Sequence, residues 1–205
     1  MGKNLPEAEN GHEENLRDSS TNTDSDRVLV TKRAVFLALC ALVEERDFNT
    51  ITASDIMKRA GVSRSTFYRC FADKYDVVNW SFKRYKNIRI QDVEQYHEFS
   101  TALYAQLLHL KEYRTCYASA LRYLGQNSLR DYMFEANDEY MLECWHAEHG
   151  PDEVSLEKRV MIRFAAAGCS KVVEQWVLGG CVEEPQSAVD ALVATIPPEV
   201  LETLF

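Results

Sequence analysis

The sequence predicts an all-α protein, with a small three-helix N-terminal head and a larger helical body. Three observations carry that prediction. No stretch of the 205 residues alternates apolar and polar side chains long enough to build a half-buried strand, and no internal repeat of useful length is present. Apolar residues recur instead at three- and four-residue spacing through the chain after Thr31. Turn signals such as Gly61, Gly125, Gly150-Pro151, Gly179-Gly180 and Pro197-Pro198 fall between those runs.

Residues 1–26 are polar and acidic, with little to bury, and read as a disordered tail. Thr31–Arg46 carries Val35, Phe36, Leu39, Leu42 and Val43 over most of its surface, as the central support of the head would; Phe48 and Ile51 add to that core. Thr52-Ala53-Ser54-Asp55 resembles a capping box with Asp in the place of Glu or Gln, and starts a helix that runs through Ile56 to about Ala60. Gly61 stands where the chain reverses, a position that suits the left-handed backbone only glycine adopts without a Cβ penalty. Ser63 is placed to cap a short helix over about Arg64–Cys70. Asp73 can cap a longer fourth helix from Lys74 to about His97, with Asp76 in its first turn. The body then reads as helices over Phe99–Lys111, Tyr113–Leu124, Ser128–His149, Ser155–Leu178 and Pro185–Thr195. Residues 27–78 form the expected head and residues 79–205 the expected body.

The chain is long enough to bury a core, with 46% hydrophobic residues. Its longest apolar run, Ala34–Val43, is too short to cross a bilayer. No basic-then-apolar signal pattern opens the sequence, so a cytoplasmic protein is expected. The six cysteines share no repeated spacing and several lie in apolar helical patterns, which points to reduced, buried thiols. The net charge of −9 is unevenly distributed. Residues 27–92 hold 13 basic and 7 acidic residues (net +6), against −5 before them and −10 after. The segregation suggests a polyanion partner for the head alone.

Within Ile51–Lys74, the apolar residues Ile56, Ala60, Val62, Phe67 and Phe71 can turn inward together, while Arg64, Ser65, Thr66, Tyr68 and Arg69 face out. A short helix with donors outside and aromatics inside meets the requirement for entry into a DNA major groove. Arg64 suits the two acceptors of a guanine or a phosphate equally, and Tyr68 suits a phosphate or a packing role. Lys74, at a helix N-terminus with free N–H groups, suits a backbone phosphate. In the body, Tyr104, Leu108, Tyr117, Phe134 and Trp145 can line an apolar ligand pocket, although aromatics at this spacing also make ordinary core. Cys144, His146 and His149 form a C-x-H-x-x-H cluster in which the cysteine points away from the histidines, and no second ligand pair is at hand; no metal and no cofactor are expected. Phe164, Gly168, Val172 and Trp176 lie along the penultimate helix, where Gly168 permits close helix approach.

Val35 to Leu42, Thr52-Ala53-Ser54-Asp55-Ile56, Ala60-Gly61-Val62-Ser63-Arg64, Thr66-Phe67-Tyr68-Arg69, Phe71 and Lys74 together resemble the DNA-binding head of the tetracycline-repressor (TetR) family over about residues 31–78. Two departures stand out. The family often has Gly where Asp47 sits, a residue that tolerates the same left-handed conformation, and Ala where Met57 sits. The resemblance implies a homodimer with its recognition helix in the major groove. Thr52 and Tyr68 would then touch phosphate, Lys74 would hold the DNA backbone, and Arg64, Ser65 and Thr66 would lie nearest the base edges. Phe164, Gly168, Trp176, Gly179-Gly180 and Pro185 are similar to the C-terminal domain of a subgroup resembling dihydroxyacetone-kinase regulators, which places the dimer contact in this region.

The expected function is an effector-responsive transcriptional repressor. Two heads would bind the halves of a palindromic double-stranded DNA operator, about 34–36 Å apart, and a small molecule in the body would shift the fourth helix. The alternative is a DNA-bound coactivator or protein-interaction adaptor with no small-molecule effector. No Gly-rich phosphate loop, G-x-S-x-G or paired metal motif points to an enzyme, and no segment points to a membrane.

Overall fold

The computed structural model describes residues 15–86 and 98–204, with the side chains of residues 26–84 and 99–204. Among the described residues the secondary structure is entirely helical. The first helix, α1 (Asn15–Glu45), reaches back well before Thr31, into the stretch whose composition predicts disorder. Burial of Val35, Phe36 and Leu39 nucleates this helix, and each further turn then gains one hydrogen bond per residue fixed. Residues 1–14 of the expected tail lie outside the described residues.

The head is completed by a 3-10 turn (Phe48–Thr50), α2 (Ala53–Ala60) and α3 (Arg64–Cys70). Leu39, Phe48, Ile51, Ile56, Phe67 and Phe71 are buried at its centre. The capping box of α2 closes in both directions. Thr52 Oγ1 accepts from the Asp55 amide at 3.2 Å, and the Asp55 carboxylate accepts from the Thr52 amide at 2.9 Å. The Thr52 hydroxyl and amide, which both donate to it, with Arg46 beside them, hold the Asp55 carboxyl down to about 2. Gly61 takes the left-handed conformation (φ 67°, ψ 28°) the turn requires. Asp47 does not: its φ is −58°, and its carboxylate accepts from the Asn49 amide at 2.7 Å to cap the 3-10 turn. No left-handed residue is needed there, which removes the reason for a glycine.

From the head, α4 (Lys74–Lys86) leads toward the body; its expected continuation to His97 lies outside the described residues. The body comprises α5 (Glu98–Glu112), α6 (Arg114–Leu121), α7 (Leu129–His149), α8 (Leu156–Leu178) and α9 (Pro185–Val193). A last short helix, α10 (Pro198–Leu201), follows Pro197, where the sequence reads as a stop. Pro198 instead occupies its first position, where the missing N–H is not needed. α7 packs along α8, α5 against α4 and α9, and the terminal turn after α10 against α7.

The head and body share one continuous core. α1 packs on α2 and α3 and also on α4 and α6, and its Phe36 ring lies 5.6 Å from His109, 5.1 Å from Tyr113 and 6.0 Å from Tyr117. Beside it Ser81 of α4, His109 of α5 and Tyr117 of α6 form a buried triangle. Ser81 Oγ and Tyr117 Oη each lie 2.9 Å from His109 Nε2, and the tyrosine donates to the serine at 3.0 Å. Burial, reinforced by the positive charges of Arg33 and Arg84, pulls the His109 pKa from 6.5 to about 3, so the imidazole is neutral. The α6–α7 loop holds the start of α4. Tyr123 stacks on Tyr75 at 4.2 Å, Asn127 donates to Asp73 at 3.4 Å, and the Asn127 carbonyl accepts from Asn79 at 3.4 Å.

Candidate nucleic-acid interface

Seven residues make up α3, and two of its side chains, Phe67 and Cys70, fix it to the head. The other five positions face outward wholly or in part. Ser63 caps the helix: its Oγ accepts from the Thr66 amide at 3.1 Å and lies 2.8 Å from Thr66 Oγ1 and 3.0 Å from Ser65 Oγ. Arg64 lies over the Tyr68 ring at 5.1 Å, and Tyr68 keeps 46% of its surface exposed. Arg69 is exposed one position further on. The structure therefore gathers Ser63, Arg64, Ser65, Thr66, Tyr68 and Arg69 on a single projecting element whose chemistry is hydroxyls and cations.

Two residues expected on phosphate are engaged elsewhere. Lys74 turns inward, and its ammonium donates to the carbonyls of Phe48 at 2.7 Å, Asn49 at 3.2 Å and Ile51 at 2.8 Å. Its three protons close the 3-10 turn from beneath, and burial pushes its pKa down, opposed by Asp47 and Asp73. At the start of α4, Asp73 accepts from the Asp76 amide at 2.8 Å and Asp76 from the Ala72 amide at 3.0 Å. Lys74 is a staple inside the head; the sequence offered its position at a helix start but not the direction of its side chain. The Thr52 hydroxyl donates to Asp55 at 2.7 Å and serves the α2 cap.

The five residues expected around a ligand differ in their surroundings. Tyr117 is fully buried in the triangle with His109, while Leu108 is 43% exposed. Trp145 stacks on His149 at 4.1 Å, near the end of α7, and Tyr104 is half-buried on α5. Phe134 lines a shallow cleft of about 140 Å3 with Arg130, Lys171 and Glu174. The space between α4, α5, α7 and α8 is a cavity of about 30 Å3, walled by Phe82, Phe99, Leu103, Gln106, Met133 and Tyr140. None of the five faces it, since the helical period shows which residues are apolar but not which neighbour each helix meets. His146 Nδ1 lies 3.0 Å from the Gly150 carbonyl and His149 Nδ1 3.2 Å from that of Trp145, so both histidines finish the helix end. All six cysteines are free thiols.

On α8, Phe164 is 77% exposed and Val172 54% exposed, with Gly168 exposed between them. Leu156 and Val160, also exposed, continue the same ladder in steps of four. Trp176 departs from the expectation. It is buried, its indole N–H donates to the Glu183 carbonyl at 3.2 Å, and it lines a groove of about 430 Å3 between α8 and α9. A tryptophan can pack in a core while its N–H donates to a loop carbonyl, as Trp176 does.

A family profile described as bacterial regulatory proteins, tetR family, matches residues 31–79. A second, described as a transcriptional regulator C-terminal region, matches residues 97–197. The HTH-type dhaKLM operon transcriptional activator DhaS of Lactococcus lactis subsp. lactis is 25% identical over 172 residues, covering 82% of this chain and 91% of that protein. A solved structure of a dihydroxyacetone kinase operon activator, DhaS, superposes with a TM-score of 0.60 at 18% identity, over 84% of this chain and 97% of its own. The Thermus thermophilus FadR repressor in complex with lauroyl-CoA gives a TM-score of 0.48 at 16% identity, over 85% of this chain and 95% of its own.

Proposed function

We infer, from the premise that this chain belongs to the tetR family of bacterial regulatory proteins, how a transcription regulator of this family uses these surfaces. The chain binds a palindromic operator as a two-fold homodimer, each α3 entering a major groove and the two heads lying about 34–36 Å apart. The observation that carries this reading is the projecting face of α3, where Ser63, Arg64, Ser65, Tyr68 and Arg69 stand outward over the buried Phe67. The homodimer reading is supported by the ladder Leu156, Val160, Phe164 and Val172, which a lone chain would leave in water. Activation rather than repression is the sign that the relative DhaS, an operon activator, supports.

One observation favours a second reading of the input. Among the described residues of the body, the cavity enclosed by α4, α5, α7 and α8 is about 30 Å3 and admits little more than a water, whereas the groove of about 430 Å3 between α8 and α9, which is open to solvent, falls within the roughly 300–1,000 Å3 of small-molecule sites. An interior with so little room supports a body which responds to a protein partner, as a DNA-bound coactivator or adaptor, over one that encloses a small effector, and leaves the open groove as the place a small effector would bind.

The decisive experiment titrates duplexes selected from a random pool with purified protein across a salt series. Affinity should fall steeply between 50 and 200 mM salt, by about a thousandfold or more for six or more phosphate contacts. Affinity that hardly changes with salt would contradict the reading. A reporter behind the selected site then reads the sign: lower expression on adding the protein would restore repression.

A further inference from the structure

We propose that Tyr68 is a positioning residue for Arg64, and that the pair reads a guanine in each operator half-site. The proposal rests on the DNA-binding reading of α3 and adds to it the base that is recognised. Arg64 and Tyr68 are one helical turn apart on the same face, and the guanidinium lies 5.1 Å from the ring centre. The ring is itself braced, edge-on against the buried Phe67 at 5.3 Å and 84°. A cation over an aromatic face is held by the ring's quadrupole, so Arg64 is restrained before DNA arrives.

Among the described residues, the surroundings of Arg64 give its side chain no other employment. Arg59 pairs with Glu45 at 2.7 Å and Arg46 with Asp55 at 2.9 Å, which are structural ion pairs of the head. Arg64 has no acidic neighbour in its own turn, and it opens a helix at the end where exposed N–H groups disfavour a cation. An arginine kept at such a position is suited to a partner outside the chain. A phosphate also accepts bidentately from an arginine, but its oxygens can be approached from several sides, so it does not require the fork to be held in one plane beforehand. A guanine presents O6 and N7 side by side, which a planar fork held in one orientation matches bidentately. With the ring carrying Arg64, the Tyr68 hydroxyl remains available to a phosphate, so ring and hydroxyl have separable duties.

The test uses the full chain and the duplex selected by the unmodified protein, with each half-site position then varied singly and affinity read by fluorescence anisotropy. One position should prefer guanine by about 5- to 100-fold. Arg64→Ala should erase the preference at that position and Arg64→Lys should reduce it, both leaving the other positions unchanged. Tyr68→Phe should keep the preference while weakening all sequences evenly, whereas Tyr68→Leu should reduce it at least fivefold. Full guanine preference in Tyr68→Leu would overturn the positioning role, and an even loss of affinity in Arg64→Ala would return Arg64 to phosphate. An unmodified protein with no sequence preference at all would overturn the reading of α3 itself. Both side chains are largely exposed, and an unchanged melting temperature in each variant separates these outcomes from misfolding.

Discussion

α3 and α8 each expose what a helix of an isolated domain would not, and they do so in opposite ways. α3 presents cations and hydroxyls with no carboxylate in its first turn, over a floor of Phe67 and Phe71. α8 presents hydrocarbon in steps of four, from Leu156 through Val160 and Phe164 to Val172, over a floor of Ile162, Ala166 and Val173. The floors are alike and the exposed faces are not. What faces the core says which fold is being built, while what faces out says what the surface is suited to meet: a polyanion at α3 and another apolar surface at α8.

The most disruptive way to break this contrast is to charge the apolar face. In the proposed dimer, Phe164→Glu would remove two phenyl rings from the contact, worth about 3–6 kcal/mol, so the dissociation constant in sedimentation should rise by about two to four decades. An unchanged constant would show that the ladder is not the contact. Lys74→Met tests the cation whose ammonium is bonded inside the head. Three carbonyls lose their donor, so unfolding should become easier by about 2–3 kcal/mol, while the slope of log affinity against log salt stays as it was. A slope reduced by about 0.9 would put Lys74 back on a phosphate.

His109 sharpens the comparison from within the shared core. Its folded pKa is about 3 against an ordinary 6.5. Above pH 6.5 neither state is protonated and the full stability is present. Below it the unfolded chain binds a proton that the folded chain refuses, and stability falls with pH until about pH 3. Between pH 6.5 and 5 the loss should be about 2 kcal/mol by denaturant titration, and His109→Leu should flatten that slope. The smallest effect is expected of Thr52→Ala, which removes the α2 cap at a cost of about 1 kcal/mol in thermal unfolding. Its DNA affinity should change only through the position of α3.

The head was legible in the sequence because its signals are local. Thr52 with Asp55, Gly61, and Ser63 with Thr66 each act within three residues, so reading their order reads the structure. Lys74 escaped because its partners Phe48, Asn49 and Ile51 lie more than twenty residues away. The body escaped for the same reason on a larger scale. Tyr104, Tyr117, Phe134 and Trp145 are equally apolar in sequence, and only the neighbours of each helix decide that Tyr117 is core while Phe134 borders a cleft. On α8 the four-residue ladder was visible, yet burial of Trp176 one step beyond it depended on the Glu183 carbonyl across the following turn.

Phe36 bears on how such proteins can be recombined. It sits on α1, within the segment that matches the N-terminal profile, but its ring packs on His109, Tyr113 and Tyr117, all in the segment that matches the C-terminal one. A graft that exchanged DNA specificity by moving residues 31–79 alone would carry this ring onto a body not shaped for it. The seam along which this molecule can be divided therefore runs lengthwise through α1, between Phe36 and the α2–α3 side, and not across the chain after α4. Chimeras that keep Phe36 with its native body, and exchange only α2 and α3, are the ones this packing permits.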